Sequence, residues 1–211
     1  MKAEVEKSYP NLHFYKINGI VQIRGSFLLQ HEGKELDRYL IEILIPSDYP
    51  RSIPVVREIG DRIPKIPDRH MNEKGDACLF LAEERWEAWP IGSSFTDFLQ
   101  GPVHNFFLGQ SLVERGEQWP FGSWGHGAVG IKEYYSRLLG TEDSQIILSY
   151  LSILSKKEIK GHWYCPCGSG KRLRNCHLSF LVDLSKKIPP EVVCRSLLYL
   201  RPVRNPQLLM P

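Results

Sequence analysis

Three observations predict an α+β fold. Residues 12–59 read as successive β-branched and aromatic segments joined by short turns. A stretch dense in proline follows, and the rest of the chain carries helical periodicity. Strands first and helices after them give an antiparallel four-stranded meander with helices packed on one side.

The elements follow in order. Leu12 to Ile17 is a short alternating run. Ile20 to Gln30 and Leu36 to Ile45 are longer strands, joined by His31 to Glu35, which has a glycine and the length of a hairpin loop. A fourth strand is predicted near Val55 to Ile59. Pro46, Pro50, Pro54, Pro64 and Pro67 punctuate 22 residues. Proline fixes φ and removes a ladder donor, so this region is expected to be extended and rigid. Arg62 to Pro90 is predicted to be a long ordered loop, a kind of segment that usually carries function. Ser94 to Arg115 has helical spacing of Phe95, Phe98, Leu99, Val103, Phe106 and Phe107, with a break or kink at Gly101–Pro102. A glycine-rich turn region, Gly122 to Gly130, leads to shorter helices at Ile131 to Leu139 and Ser144 to Leu154. The tail from Leu178 is expected to form one or two helices broken at Ile188–Pro189–Pro190, with Arg201 to Pro211 extended.

The 211 residues, 42% hydrophobic and 24% charged, have a globular composition that excludes a disordered or collagen-like chain. No apolar stretch reaches the ~20 residues of a membrane span. Met1 to Tyr9 is charged and unlike a secretory signal, so a cytoplasmic protein with reduced cysteines is expected. Residues 1–155 carry 16 Lys/Arg against 21 Asp/Glu, and residues 156–211 carry 11 against 3. This crossover from an acidic body to a basic tail suggests two domains, 1–158 and 159–211.

Tyr164 to His177 reads YCPCGSGKRLRNCH. Cys165, Cys167, Cys176 and His177 are four zinc-type ligands within fourteen residues, enough for a closed tetrahedral structural site. A redox dithiol and chance spacing are the alternatives. The span resembles the SEC-C motif in its C-x-C pair, its Gly168–Ser169–Gly170–Lys171 turn and its Cys176–His177 pair. Structural Zn2+ is the expected cofactor. Lys160, Lys171, Arg172, Arg174, Lys186 and Lys187 surround the motif and suit an acidic protein surface or nucleic acid. Cys194, outside the motif, reads as a core cysteine.

The second informative region is Ile45 to Phe80. Tyr49–Pro50 and Pro54 precede a strand, and a loop then carries His70-Met71-Asn72, Gly75 and Cys78-Leu79. This order resembles the catalytic core of ubiquitin-conjugating enzymes over residues 10–115. There a Tyr-Pro-x-x-x-Pro stretch and a His-Pro-Asn tripeptide precede a Cys-Leu pair whose cysteine carries ubiquitin as a thioester. Met71 stands where the family has proline, the His70–Cys78 spacing is shorter than usual, and only Met1 to Ser8 is left for an N-terminal helix. Trp86, Trp89, Trp119 and Trp124 also depart from the family pattern. Such differences are similar to those of divergent bacterial members.

The resemblance implies a ubiquitin-conjugating-like fold, here called UBC-like. It also implies a transferase that holds a protein C-terminus on Cys78 and passes it to an acceptor. The implied setting is a bacterial conjugation or antiphage system. The implied modifiers are a ubiquitin-like protein or a cGAS-like nucleotidyltransferase, with an activating enzyme as a further partner.

The residues suit that chemistry independently. A thiol can hold an acyl group that later moves to an amine. Asn72 is a candidate oxyanion donor or loop brace. His70 is a candidate for tying the loop to backbone carbonyls. His126, between glycines, is a candidate base or orienting group, and Asp76 and Glu83 are carboxylates that can take up an acceptor's proton. Two other readings stand beside this one. One is a catalytically silent binding module that docks protein or nucleic acid through the knuckle and basic tail. The other is a thiol hydrolase pairing Cys78 with His126.

Overall fold

The computed structural model describes residues 1–31, 33–122, 125 and 127–201. The chain divides into two compact units, Met1–Ser123 and Trp124–Pro211.

The first unit opens with helix α1, Lys2–Ser8. Strands β1 (Leu12–Ile17), β2 (Ile20–His31), β3 (Lys34–Ile45) and β4 (Val55–Glu58) form one antiparallel sheet in sequential order. Asn18 and Gly19, at φ 52° and 81°, make the two-residue turn between β1 and β2, where positive φ matches the twist of the flanking strands. Alternation then selects the inner face. Ile23, Phe27, Leu29, Tyr39, Ile41 and Ile43 are all buried.

The predicted helix over Ser94 to Arg115 is three segments in one run: α3 (Phe95–Phe98), one π-helical turn (Leu99–Val103) and α4 (His104–Glu114). Pro102 has no N–H to donate, and the wider turn absorbs it without ending the helix. Phe98, Phe106 and Phe107 from this run join the buried cluster of the sheet. The ring of Phe107 lies 5.7 Å from that of Phe27 and 4.7 Å from that of Tyr39. A buried aromatic core of this kind is the main stabilising term of the unit.

The predicted loop between β4 and α3 is ordered by local devices. It holds two single 3₁₀ turns, Pro67–Arg69 and Ala82–Glu84, and the short helix α2, Arg85–Ala88. The Arg85 guanidinium donates to the carbonyls of Pro50 and Arg51 and covers the buried Trp89 ring at 4.8 Å. The Tyr49 ring stacks on Trp89 at 6.1 Å. Tyr49 and Pro50 of the sequence motif therefore anchor the far end of the loop.

The second unit contains α5 (Ala128–Leu139), α6 (Ser144–Leu154), α7 (Leu178–Lys187) and α8 (Pro190–Leu200). The Asp143 carboxylate caps α6 by accepting from the amides of Gln145 and Ile146. Two expectations from the sequence differ from the structure. The division falls at Ser123, not near residue 158, because α5 and α6 pack on α8. Charge followed the knuckle, whereas the apolar faces of α5 and α6 belong to the same core as the tail. Cys194 is exposed, not core. Helix α8 buries Val193, Ser196 and Leu197, and one residue of rotation turns Cys194 to solvent.

No helix is long and apolar enough to cross a membrane among the described residues. Arg201 is the last described residue, so the expectation of an extended segment beyond it lies outside the described residues.

Candidate functional site

Cys78 lies on the edge of the sheet. The amide of Ala77 donates to the Val56 carbonyl at 2.8 Å, so residues 76–77 run beside the free edge of β4. Residues 70–72 pair back on residues 76–78. The Asn72 amide donates to the Asp76 carbonyl at 3.0 Å, and the Cys78 amide to the His70 carbonyl at 2.8 Å. Met71 faces inward and is buried. This apolar side chain thus fastens the small hairpin to the core.

The predicted residues take distinct parts. Asn72 braces the turn: its Oδ1 accepts from the amides of Lys74 and Asp76, each at 2.9 Å, and its Nδ2 donates to the Asp76 carboxylate at 3.0 Å. A primary amide has two N–H donors, so one remains beyond the Asp76 bond. His70, in the left-handed region at φ 49°, gives its carbonyl to Cys78 and lays its ring 4.3 Å from Trp119. The loop is thus held here by the His70 backbone and by its ring against Trp119. Asp76 accepts from Arg57 Nε at 2.6 Å. Partial burial works against the Asp76 charge, but Asn72 and Arg57 prevail and hold the carboxyl below its ordinary value. Glu83 is buried and contributes no surface carboxylate beside the thiol. His126 lies outside the described residues.

Cys78 is exposed. Its thiol is nevertheless pushed above the ordinary cysteine value, first by the protein that shields part of the sulfur from water and then by the negative charge of Asp76. It is therefore a protonated thiol at neutral pH, not a standing thiolate.

Sequence reasoning missed what lies beneath this hairpin. Gln110 of α4 is fully buried and faces Arg69. Glu114, one turn on, takes the guanidinium of Arg62 at 2.5 Å, and Arg62 also reaches Asp37. Trp119 was noted as unusual but given no place. Its ring lies over Gly109, where an added Cβ would come within 2.4 Å of it. Next to the cysteine strand, Leu79, Phe80, Pro102, Phe106 and Trp119 line a cavity of about 150 Å³. The signal available was a helix with polar residues and a glycine on one face of an otherwise aromatic stripe.

The second site is a cysteine–histidine cluster that could hold a metal ion. Cys165, Cys167 and Cys176 Sγ and one His177 ring nitrogen all lie within 4.8 Å of one another. Cys167 Sγ is 3.6 Å from Cys176 Sγ, and His177 Nδ1 is 3.2 Å from both Cys165 and Cys176 Sγ. Metal–sulfur bonds of ~2.3 Å in a tetrahedron put ligands roughly 3.8 Å apart, so the four atoms can hold one ion. The local chain makes this cluster. Tyr164 bridges Arg172, the Cys165 amide donates to the Lys171 carbonyl at 2.8 Å, and a 3₁₀ turn over Leu173–Asn175 delivers Cys176. Leu173 is fully buried beneath it. Ser169, through its hydroxyl and its amide, lowers the Cys167 thiol to about 6, which favours the thiolate that metals bind. From α6, the Tyr150 hydroxyl stands 3.4 Å from His177 Nδ1 and 3.9 Å from Cys165 Sγ. All four predicted ligands come together.

Among protein-family models, curated proteins and solved structures, none matches this chain.

Proposed function

We propose that the chain is a ubiquitin-conjugating-type acyl carrier and transferase with Cys78 as its nucleophile. The single observation that carries this reading is an exposed thiol on a hairpin pinned to the edge of a four-stranded meander. It is the place the ordered sequence motif implies, and a bulky acyl donor can reach it.

In the first step the Cys78 sulfur attacks the carbonyl of an activated protein C-terminus. A C–S bond forms, the activating group leaves, and the thiol proton passes to solvent or base. In the second step an acceptor amine attacks the thioester. A C–N bond forms, the C–S bond breaks, and the thiol is restored with a proton from the amine. A raised thiol makes the thiolate a poorer leaving group toward water and amine alike, so transfer would depend on the acceptor being held against the thioester. Asn72 has a remaining N–H to offer the oxyanion, a contribution of roughly 3 kcal/mol where such donors are well placed. Asp76, charged and near the thiol, can draw in an acceptor ammonium, which gives its proton to water before the neutral amine attacks. His70 acts as a positioning residue. The modifier, by resemblance, is a ubiquitin-like protein or the C-terminus of a cGAS-like nucleotidyltransferase, in bacterial conjugation or antiphage defence.

The knuckle is read as a closed structural zinc site. Cys165, Cys167, Cys176 and His177 would hold Zn2+, which supplies folding energy there and no open position for chemistry.

The test is a trapped adduct. Cys78→Ser is expressed beside its genomic neighbours and analysed by intact mass. The expected result is an ester-linked adduct stable to thiol reductants, with a reductant-sensitive one of the same kind on the wild type. No adduct on either protein, with biological function retained by Cys78→Ala, would overturn the reading.

A further inference from the structure

The metal knuckle carries a surface that the transferase reading does not use. Residues 159–182 contain no carboxylate, although Lys160, Lys171, Arg172 and Arg174 fall within them. The whole second unit, residues 124–211, holds 13 Lys/Arg against 6 Asp/Glu, whereas residues 1–123 hold 14 against 18. Within the knuckle, Lys171, Arg172 and Arg174 are exposed, and among the described residues no carboxylate pairs with them.

These cations share a narrow ribbon. Residues 161–165 run antiparallel to residues 171–174, held by the Leu173 amide on the Trp163 carbonyl at 2.8 Å and the Arg174 amide on the Gly161 carbonyl at 3.0 Å. The buried residues of the ribbon are Cys165 and Leu173, so the cysteine–histidine cluster and its core hold the backbone. The outward side chains are then held in place by a rigid base. Tyr164 is 64% exposed, which is unusual for an aromatic residue inside such a fixed element. The Arg172 guanidinium stacks on one face of its ring at 3.7 Å and donates to the His162 carbonyl at 2.9 Å. One side of the phenol is therefore backed by a planar cation, with Lys171 and Arg174 flanking Arg172 in the chain.

We propose that this ribbon binds single-stranded nucleic acid. A base stacks on Tyr164, and the phosphates on either side meet Lys171, Arg172 and Arg174. The stack explains why the ring is left in water, and the missing carboxylates explain why a polyanion is not repelled. An acidic protein would need the cations alone and would leave the Tyr164–Arg172 platform without a part. The inference is independent of Cys78 and stands or falls separately from the transferase reading.

The test uses the full zinc-loaded chain and fluorescein-labelled 20-mers of oligouridylate and oligothymidylate, read by anisotropy across a salt series. Polyglutamate of matching length serves as the acidic polypeptide. Three phosphate contacts predict a log–log salt slope near about −2 for single strands. Tyr164→Ala is expected to weaken binding by about tenfold, with the salt slope kept, and Tyr164→Phe to retain it. Lys171→Gln with Arg174→Gln, two exposed changes, is expected to flatten the slope by more than half. Metal content by native mass spectrometry shows that each variant keeps its knuckle. A preference for oligouridylate or oligothymidylate tells RNA from DNA, and either supports the proposal. Equal affinity for Tyr164→Ala and Tyr164→Phe would overturn it, since charge alone would then account for binding. Binding of polyglutamate without binding of either oligonucleotide would also overturn it, and would identify an acidic protein as the partner. If Tyr164→Ala loses its metal, the double charge variant decides: an unchanged slope overturns the proposal.

Discussion

Gln110 and Arg69 exchange hydrogen bonds. Arg69 Nε donates to Gln110 Oε1 at 2.8 Å, and Gln110 Nε2 donates back to the Arg69 carbonyl at 2.7 Å. Gln110 is fully buried on α4, and Arg69 immediately precedes the histidine whose carbonyl holds the Cys78 amide. A helix of the core thereby sets the backbone from which the Cys78 hairpin begins.

The first prediction follows from that pair. Gln110→Ala leaves the Arg69 carbonyl and part of its guanidinium buried without partners, at a cost of about 2–3 kcal/mol. Urea unfolding is expected to show a lower midpoint by that amount. Hydrogen exchange is expected to quicken in residues 69–78 more than in β2 or β3. Uniform quickening would mean that the clamp is not local.

Two glycines of the same helical run are expected to behave oppositely. Gly109→Ala places a methyl 2.4 Å from the Trp119 ring, and overpacking of this kind costs about 1–3 kcal/mol, more than the helix-propensity gain. A Cβ at Gly101 meets nothing within 4 Å, so Gly101→Ala is expected to be neutral or stabilising by up to about 1 kcal/mol. Thermal melting of both variants checks the contrast, and a shift in tryptophan emission is expected only for Gly109→Ala.

Acid is expected to weaken the first unit through Asp37. Hydrogen bonds from Arg62 outweigh partial burial, and those from Ser111 and the Arg38 amide add to them. Together they hold its carboxyl well below the usual carboxylate range. A depressed carboxylate stabilises the fold above its unfolded value near ~3.9, and that contribution fades as pH falls toward the folded value. Asp37→Asn is expected to be less stable than wild type at pH 7, with the difference shrinking below pH ~4. A constant difference across pH would refute the assignment.

Cys78 reactivity is expected to respond to Asp76. Shielding from water raises the thiol first and the Asp76 charge adds to it. Asp76→Asn removes the second cause, so the alkylation rate of Cys78 by iodoacetamide should rise at pH 7–8 and its pH profile should move down. A profile that does not move would place the charge of Asp76 too far from the sulfur to matter.

Tyr150 is expected to tune the metal centre. In the metal-bound state its hydroxyl can donate to the Cys165 thiolate, 3.9 Å away, from a position fixed by α6. Tyr150→Phe should weaken zinc retention against a competing chelator by about tenfold, the lower end for an outer partner of a metal ligand. Cys176→Ser should abolish stoichiometric zinc and loosen residues 161–177, read by hydrogen exchange.

Much of this molecule was legible in the sequence because its signals are local. Strand alternation marked the meander. The four ligands lie within fourteen residues, so their convergence needs only one tight turn and a 3₁₀ step. The order Tyr49–Pro50, His70, Asn72, Cys78 marked the loop before any contact was known. What escaped depended on partners distant in sequence. The charge crossover near Lys156 misplaced the boundary because α5 and α6 are divided from the first unit by packing, which charge does not report. Cys194 was misread because a helix turns 100° per residue, and only the neighbours of α8 decide which face is covered.

Whereas the passage of the helix through Pro102 without a break was decided by the structure, the sequence by itself determined the α+β class, the order and nearly the limits of the strands, and the cysteine–histidine cluster. Each of these is a matter of periodicity or short-range spacing. Only the tertiary structure decided that Cys78 faces solvent, that Asn72 spends most of its polar atoms inside its own turn, and that Gln110 holds Arg69 from beneath. It also decided that Trp119 rests on the bare backbone of Gly109 and reaches His70. The contacts of Gln110 with Arg69 and of Trp119 with His70 join residues about forty to fifty positions apart, set by which faces meet when the helix closes over the sheet, and no short window along the chain contains them.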